Sequence, residues 1–266
     1  MPVPCTEKHL STLRQRYGEK RLCEAAARRE HLNYQRIHIG ATPGSGRVKY
    51  LLAQMHQTYY FGFSHSACIL AGTVLEQALF YRLSGWMDRK GPLSYSRNGE
   101  RKWLQNRHDL LELELVDMLD LARSEGIIRE GRTLLLAHEI RWIRNMVVHE
   151  KIPVFQPRDD RFLELTVTKS RKGRVRFARL LLERAEVEGL LPGDSGAGAG
   201  SAGNGAPPAE KRRRSRTARG GCPEELTAYF CVSRARMILR SLFSEITTEG
   251  KTKDESGSSL LLWKES

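Results

Sequence analysis

Cysteine is scarce in this chain of 266 residues, and its spacing is uninformative: Cys5, Cys23, Cys68, Cys222 and Cys231 include no CxxC step. A disulfide-framed small fold and a zinc ribbon are therefore excluded. The eight histidines include no HExxH or HxH spacing, so no metal centre is written in the sequence and no cofactor is expected. The opening MPVPCTEKHLSTLRQRYG reaches charge by residue 7 without an apolar run. It does not read as a secretion signal, and a cytoplasmic protein is expected.

Long hydrophobic runs are missing too. Tyr59 to Leu75 carries no Asp, Glu, Lys or Arg over 17 residues, near the short limit for crossing a bilayer. Gly62, Ser64, His65, Ser66, Gly72 and Thr73 interrupt it, and Glu76 comes directly after. A buried helix accounts for it better than a membrane span, so no membrane partner is expected.

Positive charge, by contrast, is plentiful. Lys and Arg number 44 against 31 Asp and Glu, a formal net charge of +13. Such an excess favours polyanionic partners such as RNA, DNA or an anionic membrane surface. It is unevenly spread: residues 1–108 carry +10, whereas 109–150, rich in Leu, carry −4. The basic surface belongs to the flanking segments.

Hydrophobic periodicity then divides the chain. Residues 7–33 read as one charged helix forming an N-terminal extension over 1–45. Apolar positions continue at helical spacing from Arg47 to Trp86, with a kink near Gly62. Residues 108–123 form an amphipathic helix through Leu110, Leu111, Leu113, Leu115, Met118, Leu119 and Leu121, closed by Ser124-Glu-Gly126. Residues 132–150 form another, with Leu135, Leu136, Ile140, Ile143, Met146 and Val147 as its apolar stripe and Pro153 as its stop. Over 153–191 the period changes. Phe162 to Thr168 alternates like a strand, Lys169 to Gly173 is turn-like and Val175 to Phe177 can pair back, predicting a β-hairpin and then a short helix. Residues 192–222, rich in Gly, Ala and Arg, are predicted to be a disordered linker. Its Lys211, Arg212, Arg213 and Arg214 are candidates for RNA contact, with a solvated basic linker as the alternative. An amphipathic helix over 223–248 returns to the bundle, and 249–266 is a flexible tail. The predicted fold is an all-α, up-and-down helical bundle over 46–152 and 223–248, with a small hairpin insertion.

Gly40 to Val48 invites comparison with a phosphate-binding loop, since a strand over Tyr34 to Ile39 would precede it. Aligned on Gly46, however, Ala41 stands at the first glycine, Arg47 at the lysine and Val48 at the magnesium-binding hydroxyl. A helix connection is the better reading.

The sharpest feature is Ile140-Arg-Trp-Ile-Arg-Asn-Met-Val-Val-His149. At about 100° per residue from Ile140, Ile143 and Val147 stay on the core side. Asn145 and His149 lie together on the far side near about 140° and 180°, close to Arg141 and His138, with Arg144 at the stripe's edge. A near-neutral imidazole can move a proton, and a planar guanidinium can stabilise a developing phosphorane. The macrodipole also favours cations at a helix C-terminus, so by itself the pair has a plain structural reading.

The surrounding pattern resembles the HEPN superfamily. Its signature is Arg, a polar residue that is usually Asn, and His after four to six intervening residues, matched by Arg144, Asn145 and His149. Ser66 to Glu76, a small-residue helix ending in Leu-Glu, is similar to an upstream segment of the family, and Leu115 to Ile128 is similar to the segment before the signature helix. Together these span roughly residues 50–152. The resemblance implies a homodimeric all-α bundle acting as a metal-independent endoribonuclease on RNA. His149 would be the general acid/base, Arg144 would bind the scissile phosphate, Asn145 would orient them and Glu76 would support the site, with Arg141 contacting RNA. It also implies a defence or toxin role and control by an antitoxin or nucleotidyltransferase partner. The alternative is a non-catalytic module of the same fold that binds RNA, a nucleotide or a protein, with Arg144 paired to Glu76 or Glu139.

Overall fold

The computed structural model describes residues 7–32, 37–40, 44–97, 100–149, 153–171, 174–187 and 223–244. Helix dominates them, in eight α-helices: α1 Glu7–Tyr17, α2 Glu19–His31, α3 Ser45–Tyr60, α4 Ser64–Lys90, α5 Arg107–Leu111, α6 Leu115–Ser124, α7 Gly131–Val148 and α8 Pro223–Ser244. Two small antiparallel sheets accompany them. The first pairs β1 (Leu93–Arg97) with β2 (Glu100–Leu104). The second has the order β3-β4-β5, from Gln156–Pro157, Phe162–Arg171 and Arg174–Glu183. Among the described residues no helix is long and apolar enough to cross a membrane. The predicted linker with Lys211 to Arg214, the tail, and residues 34–36 of the predicted strand over 34–39 lie outside the described residues, and the described 37–39 form no strand.

The all-α expectation therefore needs correcting, and the corrections have local causes. The β1–β2 hairpin is absent from the sequence reading, although Asn98-Gly99 between Arg97 and Glu100 is the strongest short-range hairpin signal. Its strands are mostly exposed and short of alternating apolar residues; Leu93 and Leu104, paired at the open end, are the buried positions. The β4–β5 hairpin matches expectation but is longer, running the full ten residues of each strand. It leads into a single 3-10 turn over Arg184–Glu186, and residues 188–191 lie outside the described residues.

Helix boundaries differ for similar reasons. The single helix over 7–33 divides at Gly18, whose φ of +76° lies in the left-handed region that ends a helix cheaply only for glycine. The Gly62 kink is a full break. The Gly62 N–H donates to the Tyr59 carbonyl (3.0 Å) and the Phe63 N–H to that of Thr58 (2.8 Å), a left-handed cap with φ +77°. The helix over 108–123 splits in two because each half has its own cap. Asn106 Oδ1 accepts the His108 and Asp109 N–H groups (2.8 and 3.3 Å), and buried Asp117 accepts the Glu114 N–H (3.3 Å). The split leaves Leu111 exposed while Leu110 and Leu113 stay buried.

The chain divides into two compact units. One comprises Met1–Tyr34, Met55–Ile69 and Trp142–Val232; the other comprises Gln35–Gln54, Leu70–Arg141 and Ser233–Ser266. The first unit buries Tyr59, Phe155, Leu163, Leu165, Leu180, Leu182 and Phe230, each worth about 1.5–3 kcal/mol of apolar burial. Its terminal helix is tied in by polar contacts: Arg28 Nε donates to Glu225 Oε1 (2.5 Å), Arg28 Nη1 to the Tyr60 carbonyl (3.0 Å) and His31 Nε2 to the Glu186 carbonyl (2.8 Å). The second unit buries Val48, Val74, Leu75, Leu79, Leu83, Leu119, Leu121, Ile140 and Leu239. There Trp86 Nε1 donates to Glu125 Oε2 at 3.0 Å.

Candidate functional site

Helix α7 forms where the sequence places it, but its stripe is narrower than predicted. Leu136, Ile140, Ile143 and Val147 are buried at helical spacing, Met146 is half-buried and Leu135 is half exposed. The stripe turns the last two turns so that Asn145 and His149 are exposed on the side away from the core, with Arg144 half-buried at the stripe's edge. The His149 N–H donates to both the Asn145 carbonyl (3.3 Å) and the Met146 carbonyl (3.2 Å). This shared bond tightens the final turn just past Val148, so the His149 imidazole is set one turn beyond Asn145.

The chain leaving the helix is pinned. The Pro153 carbonyl accepts the buried Thr227 hydroxyl at 2.6 Å, and the Phe155 ring lies 5.2 Å from that of Phe230. Pro153 and Phe155 are thereby held against α8, and the segment 153–158 runs on past Met146 of α7. With β4 this segment encloses an open hollow of about 400 Å³, bounded by Met146, Pro153, Gln156, Arg158, Glu164 and Thr166. Arg158, about half exposed, reaches Asp159 (3.6 Å) and Glu164 (3.9 Å), and the second Glu164 oxygen meets Arg179 at 3.6 Å. Asp159 turns the chain from β3 into β4. The backbone N–H groups of Phe162 and Arg161 hold its carboxyl below the ordinary carboxylate range.

Of α7, Met146 borders this hollow, whose rim carries the Arg158 cation; Arg144, Asn145 and His149 do not line it. Arg158 and the hollow escape the sequence reading, because nothing periodic marks residues 153–166 as neighbours of Met146. Glu76 and Arg141 belong to the other unit. Glu76 is half-buried on α4. Arg141 is half-buried too, its Nε without a hydrogen-bond partner among the described residues; burial lowers its pKa, opposed by Asp120 and Glu114. Glu139 is raised by burial, with Arg234 opposing the shift. Among the described residues no cluster of three or more His, Cys, Asp or Glu is placed to hold a metal.

No protein-family model, curated protein or solved structure matches the chain.

Proposed function

We propose that this chain is a metal-independent endoribonuclease of the HEPN type, built on an up-and-down helical bundle and working as a homodimer in the cytoplasm. The observation that carries the reading is the exposure of His149 and Asn145, one turn apart at the end of α7, with Arg144 directly before Asn145 in sequence. An exposed imidazole is open to a substrate rather than spent on internal partners, which favours the ribonuclease over a non-catalytic binding module of the same fold.

The residue types suit the chemistry. RNA carries its own nucleophile, the 2′-OH next to the scissile phosphate. His149 takes the 2′-OH proton, the O2′–P bond forms, the P–O5′ bond breaks and O5′ regains a proton, leaving a 2′,3′-cyclic phosphate and a 5′-OH. Arg144 binds the non-bridging oxygens and offsets the charge that grows on them. Asn145 orients phosphate and imidazole. Glu76 supports the site and Arg141 adds RNA contact, as the family resemblance implies. Lys211, Arg212, Arg213 and Arg214 add phosphate attraction from the basic linker. A defence or toxin role, restrained by an antitoxin or nucleotidyltransferase partner, goes with this reading.

The test is incubation of end-labelled mixed RNA with the protein in excess EDTA, beside His149→Ala. Cleavage by the parent alone, ending in cyclic phosphate, is expected. Equal cleavage by both proteins would place the activity elsewhere, and none by a folded parent would leave the binding module as the better account.

A further inference from the structure

The outer face of the β1–β2 hairpin presents a tryptophan with a cation already laid over it. Trp103, on β2, is 57% exposed. The guanidinium carbon of Arg101 lies 4.8 Å from the centre of its ring. That guanidinium is fixed from across the hairpin, because its Nε and Nη2 both donate to the Ser94 hydroxyl (3.1 and 3.0 Å). The register sets Ser94 opposite Trp103 and Ser96 opposite Arg101, so these four residues share one face.

The mount beneath this face is anchored. Leu93 and Leu104, paired at the open end of the hairpin, are buried, and Trp103 directly precedes Leu104. Three residues further on, Arg107 Nη2 meets Asp88 Oδ2 at 2.5 Å and ties the start of α5 to the last turn of α4.

Core packing does not account for the ring. An indole is among the largest apolar groups a chain can bury, yet here it stands in solvent, and its neighbours on the face are two serines and an arginine. The charge around it is positive: Lys102 beside it is exposed, as are Arg89 and Lys90 just before β1, whereas Leu93 to Leu104 holds one acid, Glu100. A protein partner would call for a contiguous apolar patch. A lone ring among cations and hydroxyls matches a single strand of nucleic acid instead, which offers unpaired base faces to the ring and phosphates to the cations.

We infer that Trp103 and Arg101 form a stacking site for single-stranded nucleic acid, in which an unpaired base lies on the indole face that Arg101 leaves uncovered and the flanking cations hold the phosphates. That the strand is RNA rests on the ribonuclease proposal; the stacking site itself does not.

The test uses the full chain in a His149→Ala background, so that RNA stays intact. Binding of fluorescein-labelled oligouridylate, its deoxy counterpart and an RNA duplex is measured by anisotropy, and quenching of tryptophan emission is followed with the unlabelled strand. Trp103→Ala should weaken binding of the RNA strand about fivefold or more, the lower end of what one stacked base contributes. Duplex affinity should stay unchanged, because paired bases present no free face. Trp103→Phe should keep most of the affinity yet abolish the quenching. Both variants should melt with the parent, since the ring is exposed. Tyr50→Ala, which removes an aromatic side chain 63% exposed on α3, should bind like the parent. Unweakened binding by Trp103→Ala, equal weakening for strand and duplex, a loss shared by Tyr50→Ala, or no quenching in the parent overturns the inference. Dependence on Trp103 for the deoxy strand alone would overturn the assignment to RNA. Cleavage by the His149-containing protein is scored separately. Trp103-dependent binding without cleavage would discard only the ribonuclease reading, and cleavage with binding independent of Trp103 would discard only the stacking site.

Discussion

Arg28 and Glu225 lie 197 residues apart in sequence and meet with Nε and Oε1 2.5 Å apart, their side chains only 15% and 12% exposed. The guanidinium also donates to the Tyr60 carbonyl, so one side chain joins α2, the end of α3 and the start of α8 within one unit. Glu225 in turn acts on Tyr59, whose pKa is raised first by burial and then by that carboxylate. A charge this enclosed is stabilising only while its partner is present.

Arg28→Ala should therefore destabilise the protein by about 3 kcal/mol, because it leaves Glu225 charged and enclosed. Replacing both residues with Met should recover a good part of that loss. Urea unfolding of the two single variants and the double variant measures it; a change below about 0.5 kcal/mol for Arg28→Ala would show the pair to be effectively solvated.

Thr227 should matter to the site as well as to stability. Its fully buried hydroxyl holds the Pro153 carbonyl, and Thr227→Val would leave that acceptor without its donor at about 1–3 kcal/mol. Amide exchange should quicken over residues 153–158 and the end of α7 before it does elsewhere. Unchanged exchange there would mean that the chain is held by Phe155 against Phe230 alone.

Glu139 supplies a pH signature. Burial raises its carboxyl pKa, so folding disfavours the ionised form, and stability is lost as pH rises from the unfolded value, about 4.3, through the raised folded one. Glu139→Gln removes that loss. The variant should melt higher than the parent at pH 7, with the gap closing towards pH 4. A parent that is the more stable at pH 7 would mean that attraction to Arg234 outweighs burial.

In the proposed reaction the planarity of Arg144 matters more than its charge. Arg144→Lys should cut cleavage about as deeply as Arg144→Ala, by roughly a hundredfold or more, because an ammonium cannot make the paired bonds to phosphate oxygens. His149→Ala should be as deep, and its exposed ring should leave the melting temperature unchanged. Rates of cyclic-phosphate formation under EDTA report both, and a lysine variant with near-parent activity would assign Arg144 to charge alone.

Much of this is readable from residue order, for a physical reason. The 3.6-residue period belongs to the chain itself, so α7 is legible to within two residues at each end, as is the start of α8, and with them the placing of Asn145 and His149 opposite Ile143 and Val147. Strand alternation likewise reveals the β4–β5 hairpin. The β1–β2 hairpin escapes because its signal is a turn, Asn98-Gly99, between strands that bury little. Leu135 and Leu111 read as members of a buried stripe, yet a helix's period cannot say how wide a face its neighbours will cover.

By itself, then, the sequence determined the periods, the breaks, the excess of cations and the Arg144-Asn145-His149 spacing, all of them properties of residues a few positions apart. Tertiary structure alone decided that Arg28 would meet Glu225, that Thr227 would pin Pro153, and that Arg158 and Glu164 would border a hollow beside Met146. Such contacts join segments far apart along the chain, and local propensity carries no information about a partner that only the packing of the whole core selects.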